Sequence, residues 1–92
     1  MTIVDILNNT IIKLYSQCIL DYIKSKSRKQ FFCELRYIYA YILYDYGFKN
    51  EDIAILLNRN RTSIYHMVRN FRNLLTTDKR FREIYTKIKK QI

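Results

Sequence analysis

The chain has 92 residues, room for one domain and no second. Nearly half of them are apolar, which excludes a disordered tail, and a single Gly with no Pro disfavours strand-rich folds with their many special turns. Seventeen Lys and Arg against eight acids leave a net charge of +9, which puts nucleic acid first among partners and an anionic membrane surface second.

In chain order, Thr2 and Asp5 form a capping box for a first helix near 3–16, with Val4, Leu7, Ile11, Ile12 and Tyr15 at helical spacing. A short helical piece follows at 19–23. Residues 24–29 read Lys-Ser-Lys-Ser-Arg-Lys, a polar basic loop. The spacing then predicts a long central helix over 29–46. One apolar stripe on it runs through Phe31, Phe32, Leu35, Ile38, Tyr39, Ile42, Leu43 and Tyr46, and a second through Tyr37, Tyr41 and Tyr44. Gly47 suits the C′ position that ends such a helix. Asn50, followed by Glu51 and Asp52, is the expected N-cap of a short helix over 51–57. Residues 58–60 make a turn, and a further helix covers 61–75. Thr77 and Asp78 cap a last helix over 78–91, whose inward positions are Phe81, Ile84, Tyr85 and Ile88. The fold class expected is all-α, with the pair of helices at 51–57 and 61–75 laid out as a helix-turn-helix.

The helix over 61–75 has two chemically distinct sectors. Ile64, Val68, Phe71 and Leu75 share one, and Thr62, Tyr65, His66, Arg69 and Asn73 share the other. The second set carries the groups that read base edges and grip phosphates. No acid occurs from Arg59 to Thr77, whereas a merely solvated face mixes its signs. The positive charge lies in three blocks: residues 24–36, 58–77 and 78–92 each carry +4.

No catalytic constellation accompanies these features. His66 is the only histidine and has no Ser, Cys or acid obviously paired with it, so no enzyme is expected. Cys18 and Cys33 lack C-x-x-C spacing; they read as two buried, reduced thiols, with no metal and no cofactor. No apolar run approaches the length of a membrane span. The start at Met1 and the end without a linker favour a natural small protein.

Two motifs carry a family resemblance. Ser25-Lys26-Ser27-Arg28-Lys29 followed by Arg36 is one. The other is Ile53-Ala54-Ile55-Leu56-Leu57-Asn58-Arg59-Asn60-Arg61-Thr62-Ser63-Ile64-Tyr65-His66. Together with the stretch from Asp78 through Phe81 to Ile88, they make the chain resemble domain IV of the bacterial replication initiator DnaA, a small helix-turn-helix domain of Trp repressor-like kind. The resemblance implies double-stranded DNA as partner, with Arg28 in the minor groove and Asn60, Arg61, Thr62 and His66 in the major groove. It also implies Lys29 and Arg36 near phosphates, with Arg36 opening a helix. Lys26, Ser27, Arg59, Ser63, Tyr65 and Arg69 complete the expected DNA-binding set. The family usually has Asp-His where this chain has Asn60-Arg61, and smaller residues at the Tyr65 and Met67 positions. A nucleotide-binding Gly-x-x-x-x-Gly-Lys loop is absent, since the chain has one Gly, so the family's ATPase is absent too.

The reading is therefore a stand-alone, cytoplasmic, nucleoid-associated DNA-binding protein that regulates replication or transcription, or that serves a mobile element or phage. The alternative is a protein-interaction module that contacts or competes with a replication initiator through an exposed Tyr37, Tyr41, Tyr44 patch. Membrane binding by the last basic helix is disfavoured, because its apolar residues are needed for the core.

Overall fold

Why each helix starts and stops is visible in its end groups. The structure, a computed structural model, describes residues 2–92 and holds six helices: α1 (Ile3–Leu14), α2 (Cys18–Lys24), α3 (Gln30–Asp45), α4 (Asn50–Leu57), α5 (Arg61–Thr77) and α6 (Lys79–Gln91). No strand occurs among the described residues. The capping box of α1 is formed: Asp5 N donates to Thr2 Oγ1 at 3.2 Å, and Thr2 N donates to Asp5 Oδ2 at 3.4 Å. This helix ends two residues sooner than the apolar spacing predicts. Tyr15 leaves helical geometry (φ −124°, ψ −82°) as its ring meets Phe31 edge-on at 5.2 Å.

The central helix is α3, which packs against α1, α2, α4 and α5. It buries Leu35, Ile38, Tyr39, Ala40, Ile42 and Leu43. Tyr39 donates its hydroxyl to Asn8 Oδ1 at 2.8 Å, and burial pushes its phenol up to about 12. The predicted apolar stripe is shorter than expected, since Tyr46 is exposed and Phe31 and Phe32 are half-buried. Gly47 takes φ +96° and closes α3 as a Schellman motif, with Phe48 N bonded to Leu43 O at 3.1 Å and Gly47 N to Tyr44 O at 3.0 Å.

Asn58 does the same for α4 without being a glycine. At φ +56°, it sends Arg59 N back to Ala54 O at 2.9 Å and its own N–H to Ile55 O at 3.3 Å. The chain then enters α5 immediately, because Asn60 is extended and its Oδ1 accepts from Ser63 N at 2.8 Å. At the far end α5 runs to Thr77, two residues beyond the predicted stop. Asp78 alone caps α6 by accepting from Phe81 N at 3.1 Å.

The core joins these helices through aromatic rings. Phe71 of α5 is fully buried, stacked on Tyr41 at 3.9 Å and edge-on to Phe81 at 5.4 Å and Tyr85 at 4.9 Å. Phe81 and Ile88 anchor α6 in the core, with Ile84 and Tyr85 half-buried beside them. Two further expectations fail. Cys18 is exposed and Cys33 only half-buried, because Ile19 and Ile23 take the inward positions of α2 and turn Cys18 outward. Asn50 does not cap α4. Lys49 occupies that position and makes no side-chain cap, while Asn50 is the first helical residue with Oδ1 buried and unpartnered.

Candidate nucleic-acid interface

The basic loop between α2 and α3 is held in shape by two arginines that grip its backbone. Arg36, in the second turn of α3, is 5% exposed. Its Nε donates to Ile23 O at 2.7 Å, and its Nη2 reaches Ser25 O at 3.0 Å, Ser27 O at 3.2 Å and Tyr22 O at 3.4 Å. Arg59, from the turn after α4, donates to Ser25 O and to Lys24 O, Leu57 O and Asn58 O. Burial, with the Arg36 charge beside it, holds the Arg59 guanidinium below the ordinary arginine range. Both residues were expected at DNA, Arg36 near phosphates at the opening of a helix. In the structure their guanidiniums donate to main-chain carbonyls; Arg36 lies inside the fold and Arg59 is half-buried.

The consequence is positional. The clamp ties the loop to the α4–α5 turn, so Lys26, Ser27 and Arg28 line one cleft of about 310 Å³ with Asn58, Arg59 and Arg36. Within the loop, Ser25 Oγ donates to Tyr22 O at 2.7 Å and accepts from Ser27 N at 3.2 Å, and Lys29 N donates to Ser27 Oγ at 3.4 Å. Lys26, Arg28 and Lys29 are exposed. None of them forms an ion pair among the described residues.

On α5, the polar sector read from the sequence is the exposed one. Thr62, Tyr65, His66 and Arg69 face outward while Ile64, Met67, Val68 and Phe71 are buried. Tyr65 is 56% exposed, with its ring edge-on to His66 at 5.6 Å. Ser63 is half-buried, and its N–H is the one that Asn60 caps. Arg61 is exposed but reaches across to Glu51 Oε1 at 3.2 Å, and this partner holds the Glu51 carboxyl below its ordinary range. Two exposed groups of this kind contribute little to stability, so the pair is easily exchanged for another anion.

Three residues beside this surface were not in the expected DNA-binding set. Tyr44, Asn50 and Arg72 join Tyr65, Val68 and Arg69 around a second cleft of about 300 Å³. The helical spacing of Arg69 and Arg72 was the available signal. Asn50 had none, because its burial depends on how α4 meets α5. No group of three or more His, Cys, Asp or Glu residues that could hold a metal occurs among the described residues. No helix among them is long and apolar enough to cross a membrane. Comparison with protein-family models, with curated proteins and with solved structures finds no match for this chain.

Proposed function

We propose that the protein is a non-enzymatic, double-stranded-DNA-binding domain of the helix-turn-helix class, in which α4, the turn at 58–60 and α5 form the motif. More particularly, it is a stand-alone module of the DnaA domain IV kind, acting on replication or transcription of a host or mobile element. The observation that carries this reading is the acid-free, outward sector of α5 set beside a basic loop that Arg59 fastens to the same turn. In the proposal α5 enters the major groove with Thr62, Tyr65, His66 and Arg69, and Arg28 enters the neighbouring minor groove. Arg61 leaves Glu51 for a guanine edge or a phosphate. Asn60 acts chiefly as the helix cap, since its Oδ1 already accepts a backbone N–H. The tyrosine-patch alternative loses support, because Tyr41 is stacked on Phe71 and only Tyr44 of the three is exposed.

The test is the salt dependence of affinity for duplex DNA. Lys26, Arg28, Lys29, Arg61 and Arg69 are the five exposed cations of the proposed face. At about −0.9 per neutralised phosphate, they give a slope of log K against log salt of roughly −4 to −5. A slope near zero overturns the proposal.

A further inference from the structure

We propose that the aromatic surface shared by the end of α1, the end of α2 and the start of α3 binds single-stranded DNA, with an unpaired base stacked on the open face of Tyr22 and the basic loop holding the phosphates beside it. This goes beyond the duplex reading above and shares only the basic loop with it.

A continuous run of ring contacts marks this surface. Tyr15, at the end of α1, meets Phe31 edge-on at 5.2 Å, and Phe31 and Phe32 lie 6.2 Å apart. Phe32 is stacked on Tyr22 at 4.7 Å, with an interplanar angle of 2°. Tyr15, Phe31 and Phe32 are half-buried against the core, whereas Tyr22 keeps 48% of its surface exposed. Phe32 covers one face of the Tyr22 ring, so the other face is the one left for a ligand. A ring already held by a parallel neighbour gives up little freedom when a second flat group stacks on it.

Cations flank the run at both ends. Lys87 Nζ stands over the Tyr15 ring at 5.6 Å. At the other end the Tyr22 carbonyl accepts from Ser25 Oγ at 2.7 Å and from Arg36 Nη2 at 3.4 Å, which fastens the ring's own residue to the basic loop. Lys24, Lys26, Arg28 and Lys29 there are exposed and form no ion pair among the described residues. The neighbouring acids do not cancel this charge. Asp21 is one exposed acid against these four cations, and Glu34 is 4% exposed and bonded to Arg80 at 3.0 Å. Bare rings accept any apolar surface, but rings with cations at both ends of the run call for a polyanion that carries flat groups. In duplex DNA the base faces are covered by their neighbours and only the edges reach the grooves, so Tyr22 finds nothing to stack on. A single strand offers both a bare base face and phosphates, and such stacking tolerates every base.

The probe is a fluorescein-labelled oligodeoxythymidylate of about 12 nucleotides, titrated with the full chain and read by anisotropy. Saturable binding with a Kd of about 100 μM or tighter is expected at physiological salt. An abasic strand of the same length keeps the phosphates and loses the bases. It should bind at least about fivefold more weakly, as should the thymidylate to Tyr22→Leu. Tyr22→Phe keeps the ring and should bind as the wild type does. Melting followed by circular dichroism checks that both variants fold, as the exposure of Tyr22 leads one to expect. Duplex affinity separates this surface from α5: Tyr22→Leu should leave it unchanged, while Arg69→Ala should lower it and leave single-strand binding intact. Absence of thymidylate binding, an abasic strand that binds as tightly, or a Tyr22→Leu protein that binds like the wild type overturns the site. So does an equal loss of duplex and single-strand affinity in Tyr22→Leu, which would mean that the ring acts only through the loop. An oligouridylate that binds more tightly than the thymidylate gives the surface to RNA and overturns the assignment to DNA. Failure of the duplex to bind while the thymidylate binds overturns the α5 reading alone.

Discussion

Arg36→Ala separates a phosphate contact from a structural clamp, because the two roles predict opposite measurements. Arg36 is 5% exposed and donates to four loop or helix-end carbonyls. The two shortest bonds, at 2.7 and 3.0 Å, come from a charged donor. Such bonds contribute about 1.5–3 kcal/mol each. The carbonyls of a surface loop regain some water after truncation, so the sum is best placed at about 3–5 kcal/mol. That is a large part of the roughly 5–15 kcal/mol available to a small domain. For a chain of this size each kcal/mol shifts Tm by about 4–8 °C, so the variant should melt more than about 10 °C lower or fail to fold. Arg36→Lys keeps the charge but not the fork, and should recover only part of the loss. The assay is thermal or urea unfolding followed by circular dichroism. An Arg36→Ala protein that melts with the wild type while binding duplex weakly would refute the clamp and restore the phosphate role.

Three further outcomes are expected. Phe71→Ala empties the site between Tyr41, Phe81 and Tyr85 and should destabilise by about 3–5 kcal/mol in urea unfolding; an unchanged midpoint would mean the faces of α5 are reversed. Asn58 sits at φ +56°, so Asn58→Gly should be neutral or slightly stabilising, whereas Asn58→Val should cost about 1–2 kcal/mol; equal stabilities would contradict the left-handed turn. Burial raises the Glu34 carboxyl above its ordinary range, and the Arg80 guanidinium at 3.0 Å only partly opposes this. The folded state therefore holds that proton more tightly than the unfolded chain, and stability falls as pH rises through the folded value. Glu34→Gln should thus be at least as stable as the wild type at neutral pH, with any gain vanishing in acid; a less stable variant at neutral pH would show that the ion pair dominates.

Local signals made most of the fold legible in the sequence. The capping box at Thr2 and Asp5, the glycine at 47 and the apolar sector of α5 are patterns within one helix or one turn, and each is found where it was read. What escaped was tertiary. Arg36 bonds to carbonyls 9 to 14 residues away and Arg59 to carbonyls 34 and 35 residues away, and no periodicity announces a side chain that binds backbone atoms. A basic motif of Arg and Lys looks the same whether its charges face solvent or the protein's own carbonyls. Asn50 failed for the same kind of reason: an Asn before two acids is an ideal cap by local chemistry, yet the meeting of α4 with α5 turns it into a cleft. At Asn60 local and tertiary demands agree, and the cap forms.

The clamp also bears on how this surface could diversify. Arg36 and Arg59 hold the loop by its main-chain oxygens, which every residue type supplies equally. The side chains of Lys26, Arg28 and Lys29 contribute no hydrogen bond to that grip. Substitution at these three positions can therefore proceed without disturbing the loop's path, whereas the two arginines that hold it tolerate little change. Variation across descendants of such a protein would concentrate on the outward side chains and spare the clamping pair, the reverse of what a count of exposed function would suggest.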